Sequence, residues 1–193
     1  MLREVRENDR GFTLIEVMIV VAIIGVVAVL ATVGYARWIA SAKMAEATHM
    51  IGGIKNGEEN YFSQTGKYLE ISKGIDVGNL FPRATPTPGK VAWAGTSAGV
   101  SAADWMRIGV KADAPVYFGY AVVADGETCD PACRSLSWKS GGYDVAWEKE
   151  NGGDIKKPWF VTSAMADTNG NGVYAKVLGM SFNSRLIVDG EGE

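Results

Sequence analysis

Four groups of side chains in this sequence have types and spacings that could do chemistry. The first is Glu16, a single carboxylate at the mouth of a run, residues 17–36, that carries no charged side chain. A charge entering hydrocarbon is costly and is normally kept with a partner; the plainer role for such a residue is an ordinary helix start, where a carboxylate complements the N-terminal dipole. The second group is Cys129 and Cys133, separated by Asp130-Pro131-Ala132. A redox C-x-x-C has two intervening residues, so this pair reads as a small structural disulfide clip, with free thiols as the alternative. The third is Asp167-Thr168-Asn169-Gly170-Asn171-Gly172. It satisfies the D-x-[DN]-x-[DN]-G opening of a calcium loop, with Asp167, Asn169 and Asn171 as oxygen donors. The twelfth position, however, is Leu178, where a bidentate Glu is required. A tight turn between strands, using Asn and Gly where φ is positive, is the reading preferred over calcium. The fourth is His49, the single histidine. Without a second His or a Cys cluster it offers neither a zinc site nor a His-based triad, and it reads as a surface or packing residue.

The elements that must position these groups follow from composition and periodicity. The net charge of −3 is mild and the basic residues are scattered, which gives no electrostatic footprint for nucleic acid. No cofactor is implied beyond the calcium alternative. Residues 17–36 are long enough to cross a bilayer as a helix and too long for the apolar core of a secretory signal peptide. From Ala36 onward apolar or small residues recur at Ala36, Ala40, Met44, Ala47, Ile51, Ile54, Tyr61 and Phe62. That spacing of mostly three or four predicts a continuing amphipathic helix to about residue 63.

Residues 64–115 read as a connecting region with Pro-rich turns around 81–89 and short extended pieces at 90–94 and 105–110. From 116 onward strand signals strengthen, at 116–124, 143–147, 159–166, 173–178 and 180–188, separated by Gly and Asn turns. Neighbouring short strands predict an antiparallel meander with one apolar face, covered by the helix stripe. The fold class is therefore α+β, a long N-terminal α-helix packed on a C-terminal antiparallel β-sheet. The tryptophans Trp93, Trp105, Trp138, Trp147 and Trp159 are expected in the core.

The stretch Gly11-Phe12-Thr13-Leu14-Ile15-Glu16, running on as VMIVVAIIGVVAVLA to residue 31, resembles the type IV pilin and pseudopilin family. The resemblance joins a Gly-Phe junction, an acidic residue five positions beyond the Gly, and an apolar helix at one spacing; it covers roughly the first forty residues. It implies that a prepilin peptidase cuts between Gly11 and Phe12 and methylates the new amine of Phe12. It also implies that Glu16 of one subunit meets that amine on a neighbour during assembly. The implied organisation is a leader at 1–11, a membrane and filament-core helix at 12–36, its amphipathic continuation at 37–63, the connecting region at 64–115 and the sheet of a globular head at 116–193. Two departures are visible. The leader's Arg3, Arg6 and Arg10 are offset by Glu4, Glu7 and Asp9, and Val33 stands where many pilins carry a helix-distorting Pro.

The expected function is that of a structural subunit of a type IV pilus serving adhesion, twitching motility or DNA uptake, and not that of an enzyme. The implied partners are copies of itself or other pilins, the prepilin peptidase, the inner-membrane assembly platform and membrane lipid. The expected location is the inner membrane, crossed once with the N-terminus cytoplasmic, and then the filament. The alternatives are a pseudopilin of a type II secretion system, whose relatives hold calcium in their C-terminal part, and a membrane-anchored periplasmic enzyme, for which no nucleophile motif such as G-x-S-x-G is present.

Overall fold

The protein is described by a computed structural model covering residues 11–124, 139–140, 143–144, 158–181 and 184–190. The ordered elements are α1 (Leu14–Thr65), β1 (Thr96–Ser97), β2 (Val100–Ser101), α2 (Ala102–Met106), β3 (Gly119–Ala124), β4 (Lys139–Ser140), β5 (Tyr143–Asp144), β6 (Phe160–Ala166), β7 (Ala175–Met180) and β8 (Ile187–Asp189). The chain divides into two compact units, one ending at Ile39 and the other beginning at Ala40, with α1 contributing to both.

In the first unit the helix forms because its residues leave no alternative: no Pro interrupts it, and an apolar backbone away from water must satisfy its own hydrogen bonds. Gly25 and Gly34 each weaken a helix by about 0.8–1.0 kcal/mol relative to Ala, yet α1 is continuous through both. From Leu14 to Val33 its large apolar side chains are exposed. Among the described residues α1 is the one helix long and apolar enough to cross a membrane, with a mean hydropathy of 3.0 over its most apolar window.

In the second unit α1 buries the stripe Met44, Ala47, Ile51 and Ile54, four of the positions expected from the spacing. It ends at Thr65, where Gly66 adopts φ +76 and donates its amide to the Phe62 carbonyl at 2.8 Å. A left-handed glycine is a common helix stop because it lacks the Cβ that such a φ would strain.

The main sheet has the order β3-β6-β7-β8, all antiparallel. Tyr120 pairs with Ala164, and Thr162 with Gly179. The helix comes against the sheet at Gly179: a Cβ there would lie 2.7 Å from the Ile51 side chain and 3.1 Å from that of Thr162. Glycine inside a strand marks such a close approach.

One expectation is corrected here. The sheet is not one-sided, since every residue of β3 and β6 is buried. Alternation sends Tyr120, Val122, Ala164 and Val177 into a cluster with the helix stripe, and Ala121, Val123, Val161, Met165 and Leu178 into a second cluster. Ile75 and Leu80 of the connecting region belong to that second cluster. The same region closes the edge of β3. Phe81 and Tyr120 exchange backbone hydrogen bonds at 2.8 and 2.7 Å, and the Ser72 amide donates to the Val122 carbonyl at 2.8 Å. Covering an edge removes a template for unwanted strand pairing.

Further differences from the sequence reading lie in the connecting region. Instead of an extended piece over 105–110 the chain forms α2, because the Asp104 carboxylate accepts both the backbone amide and the hydroxyl of Ser101, at 2.8 and 2.7 Å. This is the return arm of a capping box, which starts a helix by satisfying the amides at its first turn. Residues 90–94 contribute a single bridge, Val91 to Val116. The last strand is shorter than the expected 180–188, as Met180 completes β7. Trp93, Trp105 and Trp159 are in the core as expected, while Trp138 and Trp147 lie outside the described residues.

Candidate functional site

The first site is the start of α1. Thr13 precedes the first helical residue, and its backbone amide and hydroxyl both donate to Glu16 Oε2, at 2.9 and 2.7 Å. The Glu16 amide returns a bond to Thr13 Oγ1 at 3.3 Å. Together these form a T-x-x-E capping box, in which amides left without helical partners are satisfied by the two side chains. The reading of the residues had singled out Glu16 and missed Thr13, although a Thr three positions before a Glu ahead of an apolar run is a legible helix-start signal. Phe12 is 88% exposed, and no atom would crowd a side chain at Gly11. In this single chain the Glu16 carboxylate serves its own helix end, and the bonds described fall on one oxygen, Oε2. A carboxylate at this end of a helix is stabilised by the positive end of the helix dipole.

The loop between β6 and β7 holds Asp167, Asn169 and Asn171. Asp167 is 8% exposed. Its two oxygens accept the amides of Gly170 and Gly172, at 2.7 and 3.2 Å. Asn169 Oδ1 accepts the Asn171 amide at 3.0 Å, and Asn171 Oδ1 accepts the Val173 amide at 2.7 Å. Gly170 and Gly172 have φ of +82 and +80. The pattern is that of successive Asx turns closing a tight connection between strands. The Lys43 ammonium of α1 donates to the Thr168 carbonyl at 2.9 Å and lies over the Tyr117 ring. Among the described residues no group of three or more His, Cys, Asp or Glu side chains converges. His49 is exposed. Cys129 and Cys133 lie outside the described residues.

A third feature is legible only in the fold. Glu58 is fully buried on the stripe that contains Ile51 and Ile54. Its Oε2 accepts the Leu69 amide at 2.9 Å, while Oε1 has no partner among the described residues. Burial pushes this carboxyl up to about 7, opposed by the Leu69 bond and aided by the neighbouring Glu59 charge. The Tyr68 hydroxyl donates to Glu59 at 3.1 Å, and burial with these carboxylates pushes the phenol up to about 12.

An exposed apolar helix, long enough to cross a membrane and capped by Thr13 and Glu16, thus follows directly on a Gly-Phe junction. Residues 6–32 match the family model for the prokaryotic N-terminal methylation motif. The chain is 44% identical over 66 residues to the fimbrial protein EcpC of Eikenella corrodens, covering 34% of this chain and 41% of that one. It is 37% identical over 68 residues to the type IV major pilin protein PilA of Myxococcus xanthus, covering 35% and 31%. To the type IV major pilin protein PilE1 of Neisseria gonorrhoeae it is 41% identical over 71 residues, covering 37% and 43%. The match thus spans less than half the length of each of these relatives. No solved structure matches the chain. Through this N-terminal third the chain is similar to type IV pilins and fimbrial proteins.

Proposed function

We propose that this chain is a structural subunit of a type IV pilus filament, anchored in the inner membrane by α1 before assembly. The observation that carries the proposal is the exposed apolar helix that begins three residues after Gly11, within the matched methylation motif, and carries no charge over residues 17–36. An apolar surface of that size does not stay in water. Lipid covers it before assembly and the same helix of neighbouring subunits covers it afterwards. In this reading a prepilin peptidase cuts between Gly11 and Phe12 and methylates Phe12. The Glu16 carboxylate of an incoming subunit then pairs with the amine of a neighbour, where the low dielectric makes an uncompensated charge costly. An assembly platform in the inner membrane delivers the subunit, and the head presents the connecting region at the filament surface.

The test is mass spectrometry of protein sheared from the cell surface, together with the variant Glu16→Ala. A mature chain beginning at methylated Phe12 in the sheared fraction, and a variant that inserts into the membrane but is lost from filaments, support the proposal. A chain still beginning at Met1, or normal filaments from the variant, would overturn it.

A further inference from the structure

The β6–β7 loop contains two Asn-Gly dipeptides, Asn169-Gly170 and Asn171-Gly172, exposed side by side. Asparagine followed by glycine is chemically labile, because the next backbone nitrogen can attack the side-chain carbonyl when no Cβ obstructs it. By local sequence the two dipeptides are equivalent, and the tertiary fold makes them unequal. The attacking nitrogen for Asn169 is that of Gly170, held by the nearly buried Asp167 at 2.7 Å. The nitrogen for Asn171 is that of Gly172, held by the same carboxylate at 3.2 Å. The shorter charge-assisted bond is the stronger one and must be surrendered before attack.

The electrophiles differ in the same sense. Asn171 Oδ1 accepts the Val173 amide at 2.7 Å, whereas Asn169 Oδ1 accepts the Asn171 amide at 3.0 Å. A closer donor on the oxygen that becomes the oxyanion lowers the barrier more. Space favours the same residue. A Cβ on Gly170 would lie 3.0 Å from Pro88, whereas around Gly172 there is nothing within 4 Å.

We propose that Asn171 is a self-modification site, converted to aspartate and isoaspartate in the folded protein in preference to Asn169. The Gly172 nitrogen loses its proton and bonds to Cγ of Asn171; the Cγ–Nδ2 bond breaks and ammonia leaves with the proton. Water, the sole co-reactant, then opens the five-membered imide at either carbonyl. One neutral side chain becomes a carboxylate, one turn from the Thr168 carbonyl that Lys43 holds at 2.9 Å. A third dipeptide, Asn56-Gly57, lies inside α1, where the helix holds the backbone and a side chain on Gly57 would run into the Ile108 carbonyl. It is therefore protected. A fourth, Asn151-Gly152, lies outside the described residues.

The experiment incubates the full chain in mild detergent at slightly alkaline pH and follows each dipeptide by peptide mass spectrometry, with an isoaspartyl methyltransferase assay alongside. The expected result is conversion at Asn171 roughly three- to tenfold faster than at Asn169, the ratio that part of one hydrogen bond yields, with none at Asn56. In denaturant the Asn169 and Asn171 rates converge, and Asn171→Gln abolishes isoaspartate at position 171 in the folded chain while the slower conversion at Asn169 persists. Equal rates in the folded chain, faster conversion at Asn169, or no conversion in the folded chain while the denatured chain converts would each overturn the proposal.

Discussion

Replacing Glu58 by Gln should make this protein more stable at pH 8 and leave it nearly unchanged at pH 5. Glu58 lies fully buried on the inner stripe of α1 with one oxygen unpartnered and the other on the Leu69 amide. Its carboxyl sits at about 7 in the folded protein against an ordinary 4.5. The sign follows from proton binding: between those two values the folded state holds a proton that the unfolded state has released. Stability is therefore full below about 4.5, falls as pH rises through the interval, and levels off above about 7. At about 1.4 kcal/mol per pH unit the interval corresponds to roughly 3 kcal/mol of lost stability. Tyr68, pushed up to about 12, titrates above this window and does not contribute. Gln keeps an oxygen for the Leu69 amide and removes the charge. The assay is denaturant unfolding of the full chain in mild detergent, followed by tryptophan fluorescence, since Trp93 and Trp105 are buried against the same helix face. The variant should exceed the parent by roughly 3 kcal/mol at pH 8 and by little at pH 5. A variant-minus-parent difference that is the same at both pH values would refute the buried-carboxyl argument, whatever its size.

Two further perturbations test the packing. Gly179→Val pushes methyl groups into Ile51 and Thr162 at the point where α1 meets the sheet, and should cost about 1–3 kcal/mol by overpacking, read as a lower denaturation midpoint. Asp104→Ala removes the acceptor for the Ser101 amide and hydroxyl at the start of α2. It should cost about 0.5–1 kcal/mol, with faster hydrogen exchange confined to 101–106.

The head shows how far local pattern reaches. The stripe of Met44, Ala47, Ile51 and Ile54 and the strands at 119–124 and 160–166 were legible because burial on one element face imposes its period on the residues. The second buried face of the sheet was not legible, since the connecting region that supplies Ile75 and Leu80 has no period of its own. The turn from Asp167 to Gly172 satisfied the opening of a calcium pattern but, with Leu178 at the twelfth position, fitted a turn better by residue type. Which amides its oxygens accept depends on how the strands meet.

At the N-terminus the sequence by itself determined nearly everything: an unbroken apolar run has one way to satisfy its backbone, and Thr13 and Glu16 at capping spacing set where the helix starts. Glu58 is the opposite case. Helical spacing places it on the stripe of Ile51 and Ile54 and its neighbours Lys55 and Glu59 off it, yet a carboxylate by type belongs in water. Only the docking of α1 on the sheet, with the Leu69 amide brought onto Glu58, decided that this carboxylate would lose its water, because desolvation depends on what surrounds a group in three dimensions.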